Sequence, residues 1–194
     1  LAGFAAHRDE IAARGDEVGE IGRAFDDLAG YIGDAAHAAE RIAQGDLTTE
    51  IAPRSERDVL GRAMATVKAS LQGLVAEANR LTRAAVAGKL DTRGDASKFA
   101  GGYREIVQGV NATLDAVIGP LNMAAEYVDR IAQGNIPSKI TDSYNGDFNE
   151  IKNNLNTCID AINALIADAN MLTKAAVAGK LDARADATKH QGDY

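Results

Sequence analysis

Residues 81–103 read LTRAAVAGKLDTRGDASKFAGGY, and 91 residues later positions 172–194 read LTKAAVAGKLDARADATKHQGDY. A chain that echoes itself over such a length is assembled from units in series, so the period of the repeat governs every later reading. A second echo, Arg-Ile-Ala-Gln-Gly, occurs at 41–45 and again at 130–134. A shorter pattern, Gly-x-(Leu/Ile), links the two kinds, at Gly45/Leu47, Gly88/Leu90, Gly134/Ile136 and Gly179/Leu181. An acidic–aliphatic step recurs at Glu17-Val18, Asp58-Val59, Glu105-Ile106 and Glu150-Ile151. The unit is therefore about 45 residues, and alternate units resemble each other more than neighbours do. The Arg-Ile-Ala-Gln-Gly kind is type A, and the Ala-Val-Ala-Gly-Lys-Leu-Asp kind is type B.

Between the glycines the apolar residues step by three and four in strict alternation. One run is Val18, Ile21, Phe25, Leu28, Ile32, Ala35, Ala39, Ile42, and the third is Val107, Val110, Leu114, Val117, Leu121, Ala124, Val128, Ile131. Two further runs, from Leu60 to Ala85 and from Ile151 to Ala176, keep the same rule and place Cys158 on the seam. That spacing is the seam of a left-handed coiled coil. Ile106, Ile118, Ile159 and Ile166 widen the stripe, which suits a four-helix bundle better than a two-helix zipper. The predicted class is all-α, with long helices that need partners to cover their apolar faces.

Each helix stops at a glycine, Gly45, Gly88, Gly134 or Gly179, because glycine tolerates the left-handed backbone that ends a helix. The connectors that follow extend to about Asp58, Glu105 and Glu150 and are long for a plain helical hairpin. An aliphatic residue lies two positions past each glycine (Leu47, Leu90, Ile136, Leu181). Type A adds a second at Ile51 and Ile140, whereas type B has Gly94 and Ala185 there. Periodic aliphatics in a connector predict that it runs back along the bundle, pinned in a groove, so that consecutive helices are parallel.

Composition agrees with helices and excludes several functions. Aromatics make up 5% of the 194 residues, there is no Trp, and alanine supplies about a fifth of the chain. Small side chains favour close helix packing, whereas sheets favour β-branched and aromatic residues. A net charge of −7 argues against nucleic acid, which requires a clustered basic face. One cysteine excludes an internal disulfide framework and a multi-cysteine zinc site. There is no long apolar run to span a bilayer and no signal peptide at Leu1-Ala2-Gly3-Phe4. The chain starts without Met and stops mid-pattern, so it reads as part of a longer protein.

Catalytic readings find little support. His7, His37 and His190 have no metal-ligand spacing, and His37 lies off the seam as a solvated side chain rather than a phosphoacceptor. Cys158 reads as a small apolar seam filler, with a redox switch as its rival. No phosphate-cradling glycine loop follows a strand, and no cofactor or small-molecule substrate is expected. The acidic residues Glu17, Asp58, Glu105 and Glu150 are placed to favour positive helix N-termini. They are equally placed to bond to the preceding helix and couple the two halves of a unit. Gly30, Gly73 and Gly119 recur within the helices, where glycine costs about 1 kcal/mol relative to alanine. They suggest junctions between stacked bundles. Gly119-Pro120 is the sharpest, because an interior proline removes a hydrogen bond. Asn153, Asn154, Asn156 and Asn163 flank the fourth seam as surface polarity or as register-setting residues.

Together these features resemble the HAMP signalling module. Residues 16–21, Asp-Glu-Val-Gly-Glu-Ile, are similar to the family's lead into its second helix, and Arg57-Asp58-Val59-Leu60-Gly61 is a degraded copy. Residues 43–47, Ala-Gln-Gly-Asp-Leu, match the start of the family's connector, with Leu47 and Ile51 as its packing hydrophobes. The aromatics in Gly146-Asp147-Phe148 and Gly102-Tyr103, and the missing second hydrophobe in type B, depart from the usual pattern. The alternation resembles the poly-HAMP arrays of bacterial chemoreceptors and hybrid histidine kinases.

The resemblance implies stacked parallel four-helix coiled-coil bundles formed by a homodimer, with helices joined by extended connectors. It implies the connector end and second helix of one module at 1–30, a type A module at 31–74 and a type B module at 75–119. A second type A module follows at 120–164, and the first helix and connector of a further type B module at 165–194. The implied function is signal relay, without catalysis, from a sensory input to an output domain in a chemoreceptor. That role would couple the chain indirectly to a chemotaxis kinase and its adaptor from a cytoplasmic position. The same relay in a hybrid histidine kinase, or a passive dimerisation spacer, is the alternative. Types A and B are expected to favour different packings of one bundle.

Overall fold

The computed structural model describes residues 10–192. His7 and the part of the first connector end assigned before residue 10 lie outside the described residues, as does Tyr194. Four long helices dominate: α1 (Glu17–Ala43), α2 (Val59–Val86), α3 (Gly101–Ala132) and α4 (Asp147–Val177). Single turns of 3₁₀ helix at Ala96–Lys98 and Ala187–Lys189 interrupt the two type B connectors. No strand occurs among the described residues, so the class is all-α as the periodicity required.

All four helices end the same way. Gly45, Gly88, Gly134 and Gly179 have φ of +86°, +71°, +76° and +72°. At the first, the Asp46 amide donates to the Arg41 carbonyl (2.9 Å) and the Gly45 amide to the Ile42 carbonyl (2.9 Å). The same pair of bonds recurs at Lys89/Ala84 with Gly88/Ala85, at Asn135/Arg130 with Gly134/Ile131, and at Lys180/Ala175 with Gly179/Ala176. This is the Schellman closure, which satisfies carbonyls left over at a helix end and requires a left-handed residue.

Helix starts are less uniform. Asp16 caps α1 by accepting from the Gly19 amide (3.1 Å), and Asp58 caps α2 through the Gly61 amide (2.8 Å). In contrast, α3 begins at Gly101 and α4 at Asp147, both earlier than the acidic–aliphatic steps suggest. The extra turns follow glycines at φ +52° (Gly101) and +53° (Gly146), a conformation that lets the chain swing directly into a helix. Glu105 therefore sits in the second turn of α3 rather than at its start. Inside α3 the helix continues through Pro120, whose missing N–H leaves the Ala116 carbonyl without its usual donor.

The chain divides into two compact units after Val110. In the first, Asp27 and Tyr31 of α1 contact Arg54 and Asp58 at the start of α2, while Leu47, just past the end of α1, bonds to Gln72. The middle of α1 thus meets the start of α2 and the end of α1 leads to the middle of α2, so the two helices run parallel, joined by a connector that returns along α2. Among the described residues, the buried large hydrophobic side chains are Phe99 and Val107 in this unit and Ile118, Ile140 and Ile159 in the other. Ile118 and Ile159 are two of the residues that widen the coiled-coil stripe. Most of the seam itself faces outward, with Ile21 57% and Phe25 66% exposed.

Candidate functional site

The connectors carry the polar chemistry of each unit, and types A and B differ in whether the following or the preceding helix supplies most of their fastening bonds. In the first type A connector, Lys68 Nζ donates to the Thr49 carbonyl (2.8 Å) and the Gln72 side chain to the Leu47 carbonyl (2.8 Å). As the connector advances from 47 to 49 its partners recede from 72 to 68, so it runs antiparallel to α2, the helix that follows it. The second type A connector does likewise on α4. The Asn156 amide donates to the Ile140 carbonyl (3.0 Å), Asn156 Oδ1 accepts from the Ile140 amide (2.8 Å), and Lys139 pairs with Asp160 (2.6 Å). Ile140 is 6% exposed, so Asn156 satisfies backbone groups that water does not reach.

Type B connectors are instead held by the helix that precedes them. Glu77 of α2, itself buried, accepts from Arg80 (2.7 Å) and from the Asp95 amide (2.7 Å). Arg80 also donates to the Arg93 carbonyl. Two turns toward the start of α2, the Phe99 ring covers Gly73: a Cβ on Gly73 would lie 3.4 Å from Phe99 Cε1. In the second type B connector His190 stands where Phe99 does, and its Nε2 lies 2.8 Å from Asp168 of α4, the counterpart of Glu77.

Short-range bonds shape each connector before it docks. Asp46, Asp95 and Asp186 each accept from the amide and hydroxyl of the residue two positions on: Thr48 (2.9 and 2.6 Å), Ser97 (3.1 and 2.6 Å) and Thr188 (3.1 and 2.6 Å). Such Asx turns fold the chain locally and favour the carboxylate form. The Thr48 bonds, aided by Arg41, hold Asp46 at about 2. The bond from Arg80, with that from the Asp95 amide, lowers Glu77.

Of the four recurring carboxylates, Asp58 joins two helices. It accepts from the Tyr31 hydroxyl of α1, from the Gly61 amide (2.8 Å) and from the Arg54 amide (2.8 Å). The Arg54 guanidinium lies 4.5 Å above the Tyr31 ring. The Tyr31 bond is the main cause lowering Asp58, and the Asp58 bond is the main cause raising Tyr31. Glu17 and Glu150 lie in first helical turns, where a carboxylate favours the positive helix end. At α1 the capping side chain is Asp16, not its neighbour Glu17.

Among the connector hydrophobes, Leu47, Ile51 and Ile136 are half-buried and Ile140 buried, whereas Leu90 and Leu181 are exposed. Type B carries Gly94 at the second hydrophobe's place, and Phe99, five positions further on, is the buried side chain of that connector. The signal for it was an aromatic, rare in this chain, just before Gly101. The mid-helix glycines also separate: Gly30 and Gly119 face open space, but Gly73 is the seat of Phe99. Of the asparagines, Asn156 is the one that fastens a connector. His37 is exposed beside Glu40 (3.9 Å), and Cys158 is half-buried. Among the described residues no cluster of potential metal ligands occurs, and no helix is long and apolar enough to cross a membrane.

Comparison with protein families matches HAMP domain models twice, over residues 28–76 and over residues 98–164. Each match contains two helical segments and the type A connector between them, and the two together take in more than half of the chain. The chain is therefore a member of the HAMP domain family, carrying concatenated copies of a helical module that relays signals within sensor proteins and is not itself catalytic.

Proposed function

We propose that this chain is a mechanical relay of a bacterial chemoreceptor, passing a displacement from a sensory input to an output domain through successive modules. The observation that carries this reading is the exchange of connector partners. Type A connectors take the side-chain bonds to their first halves from the helix they lead into, and type B connectors take theirs from the helix they leave, while Arg54 and Arg104 tie the far ends of the first A and first B connectors to the other helix. Alternate long helices, α2 and α4, thus each receive an A connector on the first half and a B connector on the second, as Gln72 and Glu77 of α2 and Asn156 and Asp168 of α4 illustrate. A shift of either helix strains one fastening while relaxing the other. Two alternative packings a few kcal/mol apart are what such a relay requires, and types A and B would favour opposite ones.

The second copy needed for the bundle would cover the outward seam of Val18, Ile21, Phe25, Leu28 and Ile32, whose three–four spacing suits a coiled-coil partner of the same sequence. The modules would follow the boundaries 31–74, 75–119 and 120–164, on the cytoplasmic side, with a chemotaxis kinase and adaptor engaged through the output domain. A hybrid histidine kinase would use the same relay.

The test replaces Gly45 or Leu47 with glutamine in the full receptor and measures both kinase output and dimerisation. Relay predicts output biased or locked with the dimer intact. Unchanged output would favour a passive spacer.

A further inference from the structure

Among the differences between the two type B connectors and their helices is one linked set of positions. Where the first has Gly73, Glu77, Arg80 and Phe99, the second has Ala164, Asp168, Met171 and His190. The changes compensate one another. Ala164 adds one methyl where Gly73 lies against the phenyl ring, and the smaller imidazole takes the ring's place. Met171 removes the guanidinium that neutralises Glu77, and His190 now faces the shortened carboxylate of Asp168 at 2.8 Å. The His190 side chain is 8% exposed and that of Asp168 19%, so the pair is largely shielded from water.

We propose that the second type B connector is held by a proton-dependent latch, His190 to Asp168, whereas the first is held by a permanent one. An arginine keeps its charge at every physiological pH, but imidazole is the side chain that ordinarily gains or loses a charge between about pH 5 and 8. With His190 protonated, the pair is a charge-assisted hydrogen bond between opposite charges. With His190 neutral, the shielded carboxylate loses its cation and keeps at most an uncharged Nε2–H hydrogen bond, so the connector is held more loosely. Protonated His190 carries the charged fastening, so the latch is stronger in mildly acidic than in alkaline solution. Other charged or titratable groups around the ring do not supply a substitute. Asp160 and Cys158 of α4 line the same groove, and Lys189 of the connector lies 3.8 Å from Asp186. Asp186, bonded to Thr188, is a second carboxylate that interacts with the His190 charge.

The latch acts on the same connectors as the proposed relay, and its consequence for signalling rests on that reading; its existence does not. The test is therefore local. Amide hydrogen exchange, corrected for intrinsic rates, is measured on the whole chain from pH 5.5 to 8.5, with the His190 ring followed by nuclear magnetic resonance. Protection at residues 184–190 should fall about tenfold as the ring titrates, while residues 93–99 keep theirs. His190→Phe should abolish the pH dependence with the connector docked throughout, as Phe99 docks its counterpart. Asp168→Asn should leave it weakly protected at every pH. Equal pH response of both connectors, or titration of His190 without loss of protection, would overturn the proposal.

Discussion

Asn156 closes both main-chain groups of Ile140, donating its amide to the carbonyl and accepting from the N–H across 3.0 and 2.8 Å. One side chain thereby does for a connector what a neighbouring strand would do in a sheet. Asn156→Ala leaves a buried donor and acceptor unpaired, and the expected loss is about 1–3 kcal/mol by chemical denaturation. Asn156→Asp retains the acceptor but not the donor, and should be no better. Asn154→Ala, on an exposed neighbour, serves as the control and should change stability by less than about 0.5 kcal/mol.

Phe99 against Gly73 is the apolar counterpart of that fastening. Phe99→Ala should cost about 3 kcal/mol, because it removes a buried ring and leaves a hollow that α2 cannot close. Gly73→Leu should cost a similar amount by displacing the ring, whereas Gly73→Ala sets improved helix propensity against a contact at 3.4 Å and should be close to neutral. Thermal unfolding of the three variants checks the order.

Glycine to alanine should have opposite signs at two sites of the same unit. Gly45, at φ +86°, ends a helix in the left-handed region, and Gly45→Ala should destabilise by about 1–2 kcal/mol. Gly30 lies inside α1 with open space at its Cβ position, and Gly30→Ala should stabilise by up to about 1 kcal/mol. Denaturation midpoints of the two variants decide it.

Acid should weaken the connectors before it affects the seam. Asp46, Asp58, Glu77, Asp95 and Asp186 all titrate below their ordinary values in the folded chain. Groups depressed by folding contribute stability that is present above the unfolded value and disappears as pH falls through the folded one. Stability should therefore decline from about pH 4.5 toward pH 2, the span set by glutamate's ordinary value and by Asp46 at about 2. Glu77→Gln should make this decline shallower. Denaturation midpoints measured against pH, for the parent and the variant, give the comparison.

How much of this was legible in the residues depends on the range of the forces involved. The Schellman glycines were readable because the requirement for a left-handed residue is local to one turn. The helices were readable because the seam of Val18, Ile21, Phe25 and Leu28 repeats with the period of the backbone itself. Early starts at Gly101 and Asp147 were missed, since the acidic–aliphatic step marks where the seam begins and not where the backbone first turns. Phe99 was missed because Gly94 and Ala185 occupy the places at which type A carries its second hydrophobe.

The sequence by itself determined the repeat, the all-α class, the helix stops and the family, all of which follow from periodicity and from conformations of single residues. Only the tertiary structure decided which helix holds each connector: α2 for both Leu47 and Asp95, α4 for both Ile140 and His190. Those bonds join residues 16 to 25 positions apart, and their partners are chosen by how far the returning connector reaches along the helix. No periodicity encodes that reach. It is set by the turns within each connector and by a few side chains, such as Phe99 and Asn156, that find a seat once the helices lie side by side.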